Sequence, residues 1–263
     1  MAVEVLGVSK TFDPRSGPLF QGVQFQLCAG QSLAILGPSG SGKSTLLKIL
    51  AGLEQPDGII SRVEALAPKV LIGGKSWAEV DSQNGTLGRS SVGIAFQRGA
   101  LFDSLTASGN LTFVLERVVG IDHTSARECG LKLLKQVGLD HAAELFPAQL
   151  SGGMQKRLSV ARALATDPKT VIYDDPIAGL DPITSRALLD MIRSLQMERG
   201  LTVVCSINDV ARALQFADTV GFLLDGQWFG PYASSECAPL ALSESIPAKV
   251  HAFLRGEAAD AVP

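Results

Sequence analysis

The chain has 263 residues, 46% hydrophobic and 19% charged, with 23 Lys and Arg against 26 Asp and Glu. That length fits one large domain or two small ones, and the composition excludes disorder over most of it. A formal net charge of -3 argues against a general nucleic-acid binder, which is normally basic. Mean hydropathy is +0.23, yet no uncharged apolar run reaches the ~18 residues of a membrane span. The start carries Glu4 and has no basic segment before an apolar block, so no signal peptide is expected. Cys28, Cys129, Cys205 and Cys237 form no C-x-x-C pair and read as free buried thiols. His123, His141 and His251 are scattered, which gives a zinc site or a His-based triad nothing to stand on.

Strand and helix signals then alternate along the chain, the pattern of an α/β layer fold with a mainly parallel sheet. Val3 to Val8, Val23 to Leu27 and Ser32 to Leu36 read as strands, and Lys43 to Gly52 as a helix. Ile59 to Arg89 has several glycines and little periodicity. Ser91 to Phe96 is a strand. Leu105 to Gly138 is helical, with Leu111, Val114, Leu115 and Val118, then Leu131, Leu134 and Val137, at helical spacing. Val171 to Tyr173 is a buried strand that runs into two aspartates. Asp181 and Pro182 fit an N-cap and first helical residue, opening a helix with Leu188, Met191, Ile192 and Leu195 on one face. Thr202 to Ile207 is a strand, and Thr219 to Leu224, Asp225-Gly226 and Gln227 to Phe229 make a hairpin.

The sharpest chemical signal is Gly37-Pro38-Ser39-Gly40-Ser41-Gly42-Lys43-Ser44-Thr45. It fits G-x-x-x-x-G-K-[ST] after an apolar strand and before a helix, the context that this phosphate-binding loop (P-loop) needs. Glycines let backbone N–H groups wrap a phosphate chain at a helix N-terminus. Lys43 brings a cation to the β- and γ-phosphates, and the Ser44 hydroxyl can ligate Mg²⁺. Farther on, Leu150-Ser151-Gly152-Gly153-Met154-Gln155 offers a capping serine and two bared glycines before a second helix.

Together these two motifs resemble those of the ATP-binding cassette (ABC) transporter ATPases, whose signature is LSGGQ, and the resemblance covers nearly the whole chain. It implies an α/β fold, the ABC type of P-loop NTPase. That type has a mainly parallel core sheet, an antiparallel β subdomain and a helical signature subdomain at about residues 98–157. Residues 1–233 would form the ATP-binding domain and 234–263 a tail. ATP and Mg²⁺ are implied as ligand and cofactor. Phe12 stands where the adenine-stacking aromatic belongs, and Gly37 through Thr45 would hold the phosphates. Gln97 would touch Mg²⁺ and the attacking water, and Asp174 would hold the metal. Ser151, Gly152 and Gly153 would meet ATP bound to a second chain, and Asp181 would lie in the loop that crosses the dimer interface. Leu101 and Phe102 would face a membrane permease at the cytoplasmic face.

Two positions depart from the family pattern. The family has Glu after the metal-binding Asp, to polarise water, where this chain has Asp175; it has a switch His where this chain has Asn208. Asp is one methylene shorter than Glu, about 1.5 Å of reach, and a misplacement of about 1 Å can cost on the order of 10²-fold in rate. Asn can donate to a phosphate oxygen but carries no positive charge. Two outcomes stay open: Asp175 and Asn208 serve after a small backbone adjustment, or the chain binds nucleotide with little turnover, as a regulatory subunit or the weak half of an asymmetric pair.

Within the family, Phe96 to Phe102, Leu150 to Met154 and Gly179 to Thr184 are similar to the Mla/Mce-type lipid transporters, a branch that is usually homodimeric and works with a lipid-binding Mce-type protein. The tail Pro247 to Gly256 resembles that branch's C-terminal segment. Val250, Phe253 and Leu254 share one helical face there, to dock on a neighbouring ATPase or to pack on their own chain.

Overall fold

The computed structural model describes residues 1–57, 69–79, 91–238 and 245–257. The chain divides into two units, Met1–Trp77 with Val204–Pro263, and Ala78–Val203. In the first unit β1 (Val3–Lys10) pairs antiparallel with β2 (Phe20–Leu27), Val5 opposite Phe25. Phe20, Val23, Phe25 and Leu27 are buried while Gln21, Gln24 and Gln26 are exposed, the period-two pattern of a strand covered on one face. The fully buried β3 (Ser32–Leu36) leads through the glycine loop into helix α1 (Lys43–Leu50).

The unreadable stretch after α1 holds a short hairpin, β4 (Lys69–Ile72) and β5 (Lys75–Ser76), with β4 antiparallel to β1. Of that stretch, residues 59–68 and 80–89 lie outside the described residues. Near the other end of the chain, helix α6 (Val210–Phe216) precedes the hairpin of β9 (Thr219–Leu224) and β10 (Gln227–Ala233). Its turn, Asp225-Gly226, has φ of 47° and 72°, the positive pair that a two-residue hairpin loop demands. The strand order is β5-β4-β1-β2-β10-β9-β3, with β9 parallel to β3 and β10 antiparallel to β9.

The second unit holds β6 (Val92–Ala95) parallel to β7 (Thr170–Asp174). Around this pair lie α2 (Ala107–Val114), α3 (His123–Gln136), α4 (Gly152–Ala163) and α5 (Pro182–Arg199). The long helical run between Leu105 and Gly138 is therefore broken. A π turn over Leu115–Val119 ends at Gly120 (φ 81°), and Asp122 then caps α3 through the Thr124 and Ser125 N–H groups. Leu111, Leu115, Leu134 and Val137 are buried as expected, but Leu131 is 37% exposed. Asp181 caps α5 at the Ile183 and Thr184 N–H groups, both 3.0 Å, with Pro182 at its first turn. Leu188, Ile192 and Leu195 are buried along that helix and Met191 only partly. The chain returns to the first unit within β8 (Thr202–Ser206), every residue of which is buried.

The tail forms helix α7 (Ala248–Arg255), and its apolar face is occupied within its own unit. Val250 is fully buried, Phe253 meets Phe222 edge-on with centroids 6.0 Å apart, and Lys249 pairs with Asp225 at 2.5 Å. Of the three residues expected to share a docking face, Val250 thus has no surface left for a neighbour. The amphipathic pattern reported an apolar face correctly but did not say what covers it. No helix among the described residues is long and apolar enough to cross a membrane.

Candidate nucleotide site

The glycine loop leaves β3 at Gly37, whose φ is 152°. A Cβ there would lie 2.3 Å from the Leu223 carbonyl oxygen, so no other residue fits without moving β9. Gly40 and Gly42 also have positive φ, 83° and 100°, and Gly42 opens α1 without a side-chain cap. A helix N-terminus that follows such a loop points its backbone N–H groups and the positive end of its dipole toward an anion. Ser41 Oγ is enclosed and has no hydrogen-bond partner among the described residues, whereas Ser39 lies exposed and Ser44 and Thr45 half-buried. The buried Lys43 ammonium lies across the loop, donating to the carbonyls of Gly37 (2.7 Å) and Pro38 (2.9 Å).

Elsewhere in the first unit, Phe12 is 63% exposed, with the Lys10 ammonium 4.9 Å from its ring centroid. Asn208, just past β8, is exposed. It lies between Ile207, whose N–H donates to the Ile35 carbonyl of β3, and Asp209, which caps α6 at the Arg212 N–H. The neighbourhood of β3 is further tied by a contact between residues far apart in the chain. Asp218 Oδ2 accepts from both the N–H and the hydroxyl of fully buried Ser32, each at 2.8 Å. The Ser32 hydroxyl oxygen accepts in turn from the Asp218 N–H.

In the second unit β7 ends on Asp174, and the chain turns at Asp175 with φ 43°. Both aspartates are buried. A left-handed backbone costs a non-glycine residue energy and persists only where its surroundings enforce it. Lys156 is one such enforcer, donating to the carbonyls of Asp175 (3.3 Å) and Gln97 (2.5 Å). Burial pulls its pKa below the ordinary lysine value, against the opposing pull of the Asp175 and Asp174 charges. Gln97, at the exit of β6, is itself exposed.

Ser151 caps α4, its hydroxyl accepting from the Met154 N–H at 3.3 Å. Ser151 and Gly152 are exposed, while a Cβ on Gly153 would come within 2.8 Å of Thr184 Cγ2 on α5. Asp181, one turn before Thr184, has its carboxyl held below the usual range by the Thr184 and Ile183 bonds of its cap. Within this unit the structure therefore brings together Gln97, Asp174, Asp175 and the signature helix through Lys156.

A family model described as "ABC transporter" matches residues 20–178. The chain belongs to the ABC transporter ATPase family. It is 38% identical over 225 residues, 85% of this chain and 87% of the other, to the glutamate transport ATP-binding protein GluA of Corynebacterium efficiens. To the intermembrane phospholipid transport system ATP-binding protein MlaF of Haemophilus influenzae it is 31% identical over 247 residues, 94% of this chain and 88% of the other. It is also similar to a solved dimer, the post-hydrolysis state of the ATP-binding cassette MJ0796 bound to ADP and Pi. There the TM-score is 0.75 at 29% identity, covering 88% of this chain and 98% of that one. As an ABC transporter ATPase, the chain is the ATP-binding subunit of a transporter, and its fold is the ABC cassette expected from the motifs.

The donors present suit the cofactor of such an ATPase. Mg²⁺ is a hard ion that takes oxygen ligands and usually keeps only one or two from carboxylates beside phosphate and water. In the second unit Asp174 at the end of β7 and the Gln97 amide oxygen are donors of that kind, and in the first unit so is the Ser44 hydroxyl. Mg²⁺ bound by such donors would neutralise charge developing on phosphate oxygens.

Proposed function

We propose that this ABC transporter ATPase hydrolyses ATP slowly, as one half of a homodimer, to drive a permease that moves phospholipid or another hydrophobic substrate. The observation that carries slow turnover is Asp175, a buried carboxylate on a left-handed backbone where the family has the longer glutamate. In the reaction, water attacks the γ-phosphorus, ADP leaves with the β–γ bridging oxygen, and Asp175 takes the water's proton. A carboxylate that stops short of the water does this less well, while nucleotide binding rests on the P-loop backbone and Lys43. Asn208 donates a hydrogen bond to the γ-phosphate but adds no positive charge. Each ATP is completed by Ser151, Gly152 and Gly153 of the second chain, with Asp181 at the interface. The permease holds the pair at the cytoplasmic face of the membrane, and a lipid-binding Mce-type protein is the further partner.

The phospholipid reading is supported by the run Phe96 to Phe102 and by the span of the match to MlaF, which covers 94% of this chain. The 38% identity to GluA supports a second reading, transport of a polar amino acid. The chain with its permease in proteoliposomes separates them. Stimulation of ATP turnover by phospholipid and ATP-dependent movement of a labelled phospholipid are expected. Movement of labelled glutamate in its place would transfer the substrate to the second reading.

A further inference from the structure

Helix α4 holds the loop after β6 by three side chains in steps of three residues. Lys156 donates to the Gln97 carbonyl, Ser159 to Gly99 at 3.3 Å, and Arg162 to Gly99 at 2.9 Å and Ala100 at 2.5 Å. The loop needs such support, because Ala100, beside Gly99 at φ 73°, takes the left-handed φ of 47° that is strained for a non-glycine residue. Side chains at i, i+3 and i+6 lie along one helix face, so the loop and the helix that begins at Ser151 hold together as one piece. Of these three side chains, Lys156 also reaches out of that piece, to the Asp175 carbonyl at 3.3 Å. An ammonium has three donors and needs no fixed plane, so it can serve two carbonyls of different segments.

We infer that Lys156 is a positioning residue for hydrolysis: it ties the signature helix and the Gln97 loop to the backbone of Asp175 and so sets where that carboxylate points. The peptide that Lys156 grips follows the left-handed residue directly, so its grip, beside that of the Ala178 N–H on the same carbonyl at 3.2 Å, bears on the ψ of Asp175. When Ser151 engages nucleotide, a shift of α4 is passed to Asp175 through the Lys156 side chain. The bond to the Asp175 carbonyl is part-buried, which strengthens that half of the link, while the bond to the Gln97 carbonyl is exposed. This inference rests on the reading of Asp175 as the carboxylate that takes the water's proton.

The test uses the purified full chain with Lys156→Ala and Lys156→Arg. ATP turnover and equilibrium ATP affinity are measured together, with amide hydrogen exchange over residues 97–100 and 175–180. Lys156→Ala is expected to lower kcat by about tenfold or more with KM and ATP affinity unchanged, since base placement alone is altered. Exchange should rise in both segments, and Lys156→Arg should restore most of kcat and the protection. Unchanged kcat in Lys156→Ala would overturn the inference. So would a parallel loss of kcat, affinity and thermal stability that arginine fails to rescue, which is the mark of a merely structural lysine. If the wild-type chain shows no turnover at all, the hydrolysis reading fails by itself. The link then stands on exchange: a rise in both segments in Lys156→Ala, absent in Lys156→Arg, supports it, and no rise overturns it.

Discussion

Between Leu36 and Lys43 the chain prepares for a phosphate chain with backbone, whereas between Asp174 and Asp181 it relies on side chains and on a strained turn. The first region follows the family motif at every position, and its parts are glycines at φ of 152°, 83° and 100° with one lysine lying across them. The second departs from the family at Asp175, whose carbonyl is held by the Ala178 N–H and by Lys156 from another helix. Backbone N–H groups keep their reach whatever side chains evolve around them, provided the glycines stay. A carboxylate on a side chain loses reach with each methylene removed. Binding should therefore be robust in this chain and turnover fragile.

The largest expected effect is on the backbone region. Lys43→Ala should abolish measurable binding of ATP·Mg²⁺ by calorimetry, because the loop loses its only cation. Retained wild-type affinity would break the P-loop side of the contrast. Gly37→Ala should come next. Its Cβ would press on the Leu223 carbonyl at 2.3 Å, which costs about 1–3 kcal/mol of stability in repacking and displaces the loop. Thermal unfolding and ATP affinity should both fall, and an unchanged affinity would show that the cradle tolerates more than its geometry allows. Asp218→Ala sharpens the contrast from outside both regions. It strips the fully buried Ser32 N–H of its acceptor and should lower stability by about 1–3 kcal/mol, with ATP affinity kept at temperatures where the chain is folded. A loss of affinity out of proportion to stability would make Asp218 part of the loop's support.

What was legible in the sequence was mostly what is local. The P-loop is contiguous, the Asp181 cap needs three residues, and the Asp225-Gly226 turn needs two, so each could be read from its own residues. Strands such as Ser32–Leu36 and Thr219–Leu224 were legible because near-complete burial writes a mostly apolar run. The β4–β5 hairpin was not, since Lys69–Ile72 is too short to show a period. Long-range ties were hidden for a different reason. Lys156 reaches a carbonyl 59 residues away, and Ser32 meets Asp218 across 186. The recurrence of Lys156, Ser159 and Arg162 at helical spacing behind the signature was the one visible hint of the clamp. The tail shows the same limit: the face of Val250 and Phe253 was plain, but its occupant, Phe222, lies in a strand of the chain's own sheet. At the site, residue types told which chemistry to expect, and only the backbone angle at Asp175 tells how that carboxylate is held.

The most direct test of slow hydrolysis on an intact binding site is the Asp175→Glu, Asn208→His double variant, assayed for steady-state turnover and ATP affinity beside the wild-type chain. Restored reach and a restored cation should raise turnover by about an order of magnitude or more, with affinity unchanged. Equal turnover in the two proteins, at equal affinity, would contradict the claim that Asp175 and Asn208 set the rate.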